Sequence, residues 1–315
     1  MRLATALAVR GPLADVLEQA RVVDALGYDS IWVPEIAGRD ALVTSAVIGA
    51  AVERAAVATG IVPLPARSSV TLAMGAATLA EATGGRFVLG VGAGHAETAP
   101  SWLGRAPLDL AGVADHLDVI EAVLTTGKVQ RPATAARPAL DFRLRGAYPP
   151  APPKVVLAAL GPRMAALAGS RTSGPVLNLV TADHVPAIVG WAREGAERAG
   201  RDPDALEVAC YVPVCVGDPA DARRELARQL RAYGSLGAYR RVLAACGIEA
   251  PADAGDIPAP VLDALGAHGD EATVRSRLQH FVDAGVTLPV LAPYPTGDDP
   301  WASMTATWSA LAPDA

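Results

Sequence analysis

The residues of this chain best equipped for chemistry stand at the ends of apolar runs. Between Val155 and Thr181 it reads VVLAALGPRMAALAGSRTSGPVLNLVT: an apolar run, a Gly161-Pro162-Arg163 corner, a small-residue helical stretch, and a second apolar run ending at Asn178. A Gly-Pro corner that opens directly into a helix leaves the first backbone N–H groups unbonded at the positive end of the dipole, a place to hold a phosphate. Pro162 has no N–H, so the donors would come from Gly161, Arg163 and Met164, with the Arg163 guanidinium as counter-charge. Asn178 is placed to hydrogen-bond the same ligand, or to cap the turn before a helix over 183–199, for which Asp183 is the better cap. At GGRFVLGVGAG (84–94) another run ends in Gly92, Ala93 and Gly94, where missing side chains would let a flat ring or phosphate approach the backbone, or would simply turn a tight corner. Next comes His95, a candidate proton donor or acceptor, because imidazole titrates near neutrality. Glu35, at the end of an earlier run, is the second candidate unless Arg39 or Arg67 pairs with it.

Other chemistries lack their residues. The glycines of 84–94 do not form a G-x-G-x-x-G opening a helix, and no G-x-S-x-G occurs. His116, His184, His268 and His280 stand apart on helical or loop segments and read as structural or solvated. His95, Glu35 and Asp29 are badly placed to assemble a metal site. Cys210, Cys215 and Cys246 form no CxxC pair, which suits a reducing cytosol.

The elements that must position these groups alternate between short β-rich apolar runs and longer stretches of helical period. Eight such runs are expected, near 3–9, 30–34, 56–62, 86–92, 154–159, 174–180, 206–216 and 286–292. Between the first two, Leu13, Val16, Leu17, Ala20, Val23 and Leu26 mark one helix face that stops at Gly27. Eight strands with intervening helices predict a closed (β/α)8 TIM barrel formed by one domain over 1–315. Two stretches break the rhythm, the proline-rich 127–152 and residues 235–269, and both are expected as insertions over the C-terminal mouth, with packing elaboration the other reading of the first.

Composition sets outer limits. With 315 residues and 51% hydrophobic content the chain can bury a large core. A formal net charge of -6 argues against nucleic acid or an anionic membrane as the main partner. The apolar start is interrupted at Arg10 and reads as a strand rather than a leader, and no apolar run reaches the roughly 18 residues of a membrane span. A cytoplasmic protein acting on a small molecule is expected.

Five segments in order, ALGYDSIWVPE (25–35), ATGIVPLPARS (58–68), GGRFVLGVGAG (84–94), VVLAALGPRMAALAG (155–169) and LNLVTADHV (177–185), resemble the bacterial luciferase-like monooxygenases, in particular the branch that uses the deazaflavin coenzyme F420. The resemblance spans nearly the whole chain and implies an (α/β)8 barrel with the cofactor in its C-terminal mouth. It implies a bulge with a non-proline cis peptide at Gly60-Ile61, followed by Val62 and pressed against the cofactor ring. It also implies phosphate binding at Gly161–Met164, a contact from Asn178 to the ribityl chain or phosphate, and His95 near the position of the family's acid. One departure matters: the His that serves sugar-phosphate dehydrogenases of the family falls at Ile36. That disfavours alcohol oxidation and points to reduction of an activated C=C, C=N or C=O by reduced coenzyme F420. The alternatives are an FMN-dependent monooxygenase supplied by a separate reductase, and a catalytically silent flavin-binding barrel. The resemblance further implies a homodimer; the small residues Ala50, Ala51, Gly75 and Ala76 of helices 41–52 and 68–80 would allow close helix packing, and a buried barrel face explains them equally well.

Overall fold

A computed structural model of the chain describes residues 1–7, 11–36, 38–95, 97, 99–134, 137–145, 151–234, 236–248 and 257–313. Eight strands form the barrel: β1 (Ala4–Ala6), β2 (Ser30–Val33), β3 (Ala56–Thr59), β4 (Phe87–Gly92), β5 (Lys154–Ala158), β6 (Pro175–Asn178), β7 (Ala209–Val216) and β8 (Leu288–Pro293). All pair in parallel with their neighbours in chain order, and β8 pairs with β1 to close the ring. Each falls within or beside one of the eight expected runs; residues 8 and 9 of the first run lie outside the described residues.

Parallel strands wrapped by helices are buried on both faces, which explains continuous apolar runs such as SIWV in β2. Inside the ring, Ala4, Trp32, Ala58, Val156, Val176, Ala209, Leu288 and Val290 form one cluster, mostly small residues around a single indole. A larger cluster fills the layer between strands and helices. The first helix, Leu13–Ala25, ends as expected, with Gly27 in the left-handed region at φ 84°. Asp40, Ser68, Asp109 and Asp270 each accept a backbone N–H at the start of a helix.

The two insertions differ. Lys128–Arg131 and Leu140–Arg143 pair as an antiparallel hairpin. Arg131 and Arg137 of this segment both pair with Asp115 of the outer helix Leu110–Thr126, so the described part of 127–152 packs on the barrel's flank rather than over the mouth. Helix Gly237–Ala245 of the second insertion does reach the mouth, as its contacts with β6 and the loop after β4 show. Asp183 is not the cap expected of it. Helix Val185–Arg198 begins after the turn Ala182–His184 without a side-chain cap, and the Asp183 carboxylate lies 3.5 Å from His280.

Candidate active site

The floor of the mouth is built where β3 leaves the barrel. Strands β3 and β4 pair at Val57–Phe87 and Ala58–Val88, then pairing resumes at Val62–Val91 and Pro63–Gly92. Residues 59–61 therefore face only 89–90, which is a bulge. The peptide between Gly60 and Ile61 is cis, where the resemblance implies it. Inside the bulge the Thr59 hydroxyl replaces strand pairing: it donates to the Gly90 carbonyl (2.8 Å) and accepts from the Gly90 N–H (2.9 Å). The Tyr211 hydroxyl, reaching across from β7, donates to the Gly60 carbonyl at 3.0 Å.

This packing accounts for three glycines. A Cβ on Gly60 would lie 1.8 Å from the Tyr211 oxygen, and one on Gly90 would lie 2.0 Å from the Thr59 carbonyl. A Cβ on Gly92 would meet Ile61 Cδ1 at 2.8 Å, so the space left by its missing side chain is taken by Ile61, not held open for a ring. The sequence pattern identified the right loop for a different physical reason. Gly94, at φ 81°, turns the chain, and the Ala93 carbonyl accepts the Leu108 N–H at 3.1 Å.

Beside β4 on the same rim, at the end of β5, Gly161 precedes helix Pro162–Arg171, and the first intrahelical bond runs from the Ala165 N–H to the Gly161 carbonyl (2.9 Å). The N–H groups of Arg163 and Met164 are thus left without helical acceptors. A Cβ on Gly161 would meet nothing within 4 Å, and Arg163 is exposed with no ion-pair partner among the described residues. The helix is fixed against Val185–Arg198 by two interlocking glycines: a Cβ on Gly169 would lie 1.8 Å from the Ala192 carbonyl, and one on Gly195 would lie 2.0 Å from the Ala166 carbonyl.

Asn178, at the end of β6, donates from Nδ2 to the Tyr239 hydroxyl at 2.8 Å. Tyr239 is 7% exposed, and its ring lies 5.6 Å from that of His95 and 4.8 Å from that of Tyr233. Four of the chain's six tyrosines, Tyr211, Tyr233, Tyr239 and Tyr294, feel one another here. Burial pushes the Tyr211, Tyr239 and Tyr294 phenols upward, so each stays protonated. His95 is partly buried, and its Nδ1 is buried without a hydrogen-bond partner among the described residues. Burial holds the imidazole below its ordinary value, against the opposing charge of Glu97. The tyrosines escaped sequence reasoning. Tyr211 is the lone aromatic of its strand, which was a usable signal, whereas Tyr239 sits in an insertion with no pattern to mark it.

Glu35 is brought to the mouth's edge but is not free. Its carboxylate takes Arg67 in two hydrogen bonds (2.7 and 2.8 Å) and the N–H of Ala41 at 2.9 Å, while Arg67 also reaches Asp40. The pairing alternative therefore holds, through Arg67 rather than Arg39, and Glu35 fixes the loop after β2 to that after β3. Ile36 beside it is 52% exposed and lines a cleft of about 340 Å3 with Arg39, Arg67, Trp102 and Leu103. The other histidines are structural or solvated: His116 Nδ1 lies 3.0 Å from the Gly112 carbonyl, His184 packs edge-on to Trp191, His268 lies 2.7 Å from Asp263, and His280 is exposed beside Asp183. Among the described residues no cluster of His, Cys, Asp and Glu could hold a metal ion.

A family model for luciferase-like monooxygenases matches residues 1–288. A 5,10-methylenetetrahydromethanopterin reductase of Methanolobus tindarius is 25% identical over 304 residues, covering 91% of this chain and 92% of that protein. A Mycobacterium tuberculosis protein named as a coenzyme F420-dependent oxidoreductase is 28% identical over 224 residues, 64% of this chain and 62% of its own. Among solved structures, an F420-dependent secondary alcohol dehydrogenase superposes with a TM-score of 0.79 at 18% identity over 99% of both chains, a likeness of fold. With a closed barrel, a bulged cis peptide in its mouth and a family match over most of its length, the chain belongs to the luciferase-like monooxygenase family.

Proposed function

We propose that this protein is a coenzyme F420-dependent oxidoreductase that moves hydride between the deazaflavin and a small organic substrate, acting as a reductase of an activated C=C, C=N or C=O. The observation that carries this reading is the Gly60-Ile61 bulge, held by Tyr211, with His95 after the neighbouring strand carrying a buried nitrogen that has no partner among the described residues. The names of the relatives support a deazaflavin over FMN.

The residues present suit such a group. The open side of Gly161, the unbonded N–H groups of Arg163 and Met164, and the exposed Arg163 guanidinium make a cradle for a phosphate. When bound, the deazaflavin supplies a two-electron hydride couple, and the protein contributes orientation and exclusion of water. Ile61 and Val62 would back the ring, and Gly92, Ala93 and Gly94 would carry the loop that brings His95 beside it. Hydride addition leaves an anion that needs a proton, and neutral His95 is suited to relay one from solvent to the reduced product, whereas Glu35, bound to Arg67, is not available to do so. The apolar Ile36 at the mouth's edge offers no base for removing an alcohol proton, which favours the reductive direction.

We further propose a cytosolic homodimer. The free cysteines Cys210, Cys215 and Cys246 suit a reducing compartment, and exposed Val43 and Met74 lie on adjacent outer helices. A side-by-side fluorescence titration with coenzyme F420 and FMN tests the cofactor. Tight binding of F420 with weak FMN binding is expected. A preference for FMN, accompanied by oxygen consumption, would overturn the reading in favour of a monooxygenase; tight binding with no hydride transfer to any acceptor would favour the silent barrel, and binding of neither would overturn the cofactor reading.

A further inference from the structure

The second insertion sends one side chain into the mouth, and it lands between the two residues that matter most there. Helix Gly237–Ala245 carries Tyr239 to a position where Asn178 Nδ2 donates to its hydroxyl at 2.8 Å and its ring packs against the His95 imidazole. The helix is tied down at its start as well. Glu97, two residues beyond His95, accepts the Gly237 N–H at 2.7 Å, and a Cβ on residue 237 would stand 2.9 Å from that carboxylate oxygen. A carboxylate on the first turn of a helix is favourable. The same short loop that carries His95 thus also holds the helix that covers it.

We propose that Tyr239 is a positioning residue for His95: the lid helix lays the phenol ring on the imidazole, the Asn178 hydrogen bond fixes it there, and closure of the lid presents His95 dry and in one orientation. The proposal deepens the hydride-transfer reading and rests on it for what His95 then does.

The groups facing His95 bear out the division of labour. Glu97 of its own loop is the nearest charge, with Arg240 of the lid helix beside that carboxylate. From the lid side come Tyr239 and, behind it, Tyr233, while the end of β6 supplies uncharged Asn178. The Glu97 carboxylate would favour imidazolium, yet burial prevails, and the ring of Tyr239, tilted 38° with its centroid 5.6 Å away, packs against the imidazole from the lid side.

The test is an NMR titration of the histidine ring protons in the whole cofactor-free protein, with His95 assigned by loss of its signals in His95→Gln. Wild type is expected to titrate below the ordinary imidazole range. Tyr239→Ala should shift the midpoint upward towards that range and speed amide exchange across 237–245, while Tyr239→Phe, which keeps the ring but loses the hydrogen bond from Asn178, should shift it in the same direction by less. If Tyr239→Ala does not fold, Asn178→Ala removes the hydrogen bond from outside the lid helix and should shift the midpoint in the same direction. An unchanged midpoint in Tyr239→Ala, or in Asn178→Ala where Tyr239→Ala does not fold, or an ordinary midpoint in wild type, would overturn the proposal. Failure to bind coenzyme F420 in the separate titration would remove the cofactor reading and leave this result standing.

Discussion

Gly60 is required by its neighbours rather than by any ligand. With the Tyr211 oxygen 1.8 Å from where a Cβ would stand, Gly60→Ala must push the tyrosine or the bulge aside. Overpacking of this kind costs about 1–3 kcal/mol. Thermal melts should show that loss, and Gly60→Ala in a Tyr211→Phe background should recover part of it, since the clashing oxygen is gone; a single Gly60→Ala variant that melts like wild type would sink the account. Glu35 offers the complementary case. Its side chain is 7% exposed and that of Arg67 is 17% exposed, so Glu35→Gln breaks a largely buried pair. Because Arg67 keeps Asp40, the cost should be about 1–3 kcal/mol, the desolvation of an unsatisfied polar group, rather than the larger cost of stranding a charge. Chemical denaturation measures it. A variant with wild-type stability but no turnover would return Glu35 to the chemistry.

Secondary elements were legible in proportion to how locally they are determined. The eight strands and the first helix follow from apolar period and stop signals, and all are present. The cis bond was implied by resemblance alone, and the partner of its carbonyl, Tyr211 on a strand about 150 residues away, leaves no mark near Gly60. The lid helix was anticipated as a segment, yet Tyr239 and its partners Asn178, His95 and Glu97 meet only in three dimensions. Its response to pH follows from His95. The folded, closed form lowers the imidazole's proton affinity, so the open or unfolded form binds more protons below the ordinary value of about 6.5. This contribution to closure is complete above that value and is lost as pH falls through the lowered one, and Glu97, also lowered, chiefly by the Gly237 N–H, acts in the same direction at lower pH. Amide exchange across 237–245, corrected for its intrinsic pH dependence, should therefore show weaker protection at acid pH than at pH 8; equal protection would refute the linkage. The glycine-locked pair of helices makes a second prediction at this scale. Gly195→Ala places a Cβ 2.0 Å from the Ala166 carbonyl and should tilt helix Pro162–Arg171, weakening cofactor binding as well as lowering the melting temperature. Unchanged cofactor affinity in a folded variant would mean that the phosphate is held elsewhere.

At the scale of the whole molecule, the barrel's outer layer carries the remaining sequence expectation, the homodimer. Helices Ala41–Ala51 and Ser69–Ala82 pack closely, because Gly75 lets Leu42 approach: a Cβ there would lie 3.0 Å from Leu42 Cδ1. The close approach leaves Val43 64% exposed and Met74 42% exposed on neighbouring helices. Single exposed apolar side chains are ordinary, but two on adjacent helices flanking a small-residue contact form a surface that a second copy could cover. A stable interface needs roughly 800 Å2 from each partner, so other outer residues must join Val43 and Met74 in it. Light scattering on the purified protein should return a dimer mass. Val43→Glu places a charge at the centre of that surface without touching the core, so it should lower the mass to that of the monomer while leaving the melting transition cooperative. A wild-type monomer at every concentration, or a Val43→Glu variant that remains dimeric, would show that these helices face solvent in the working molecule.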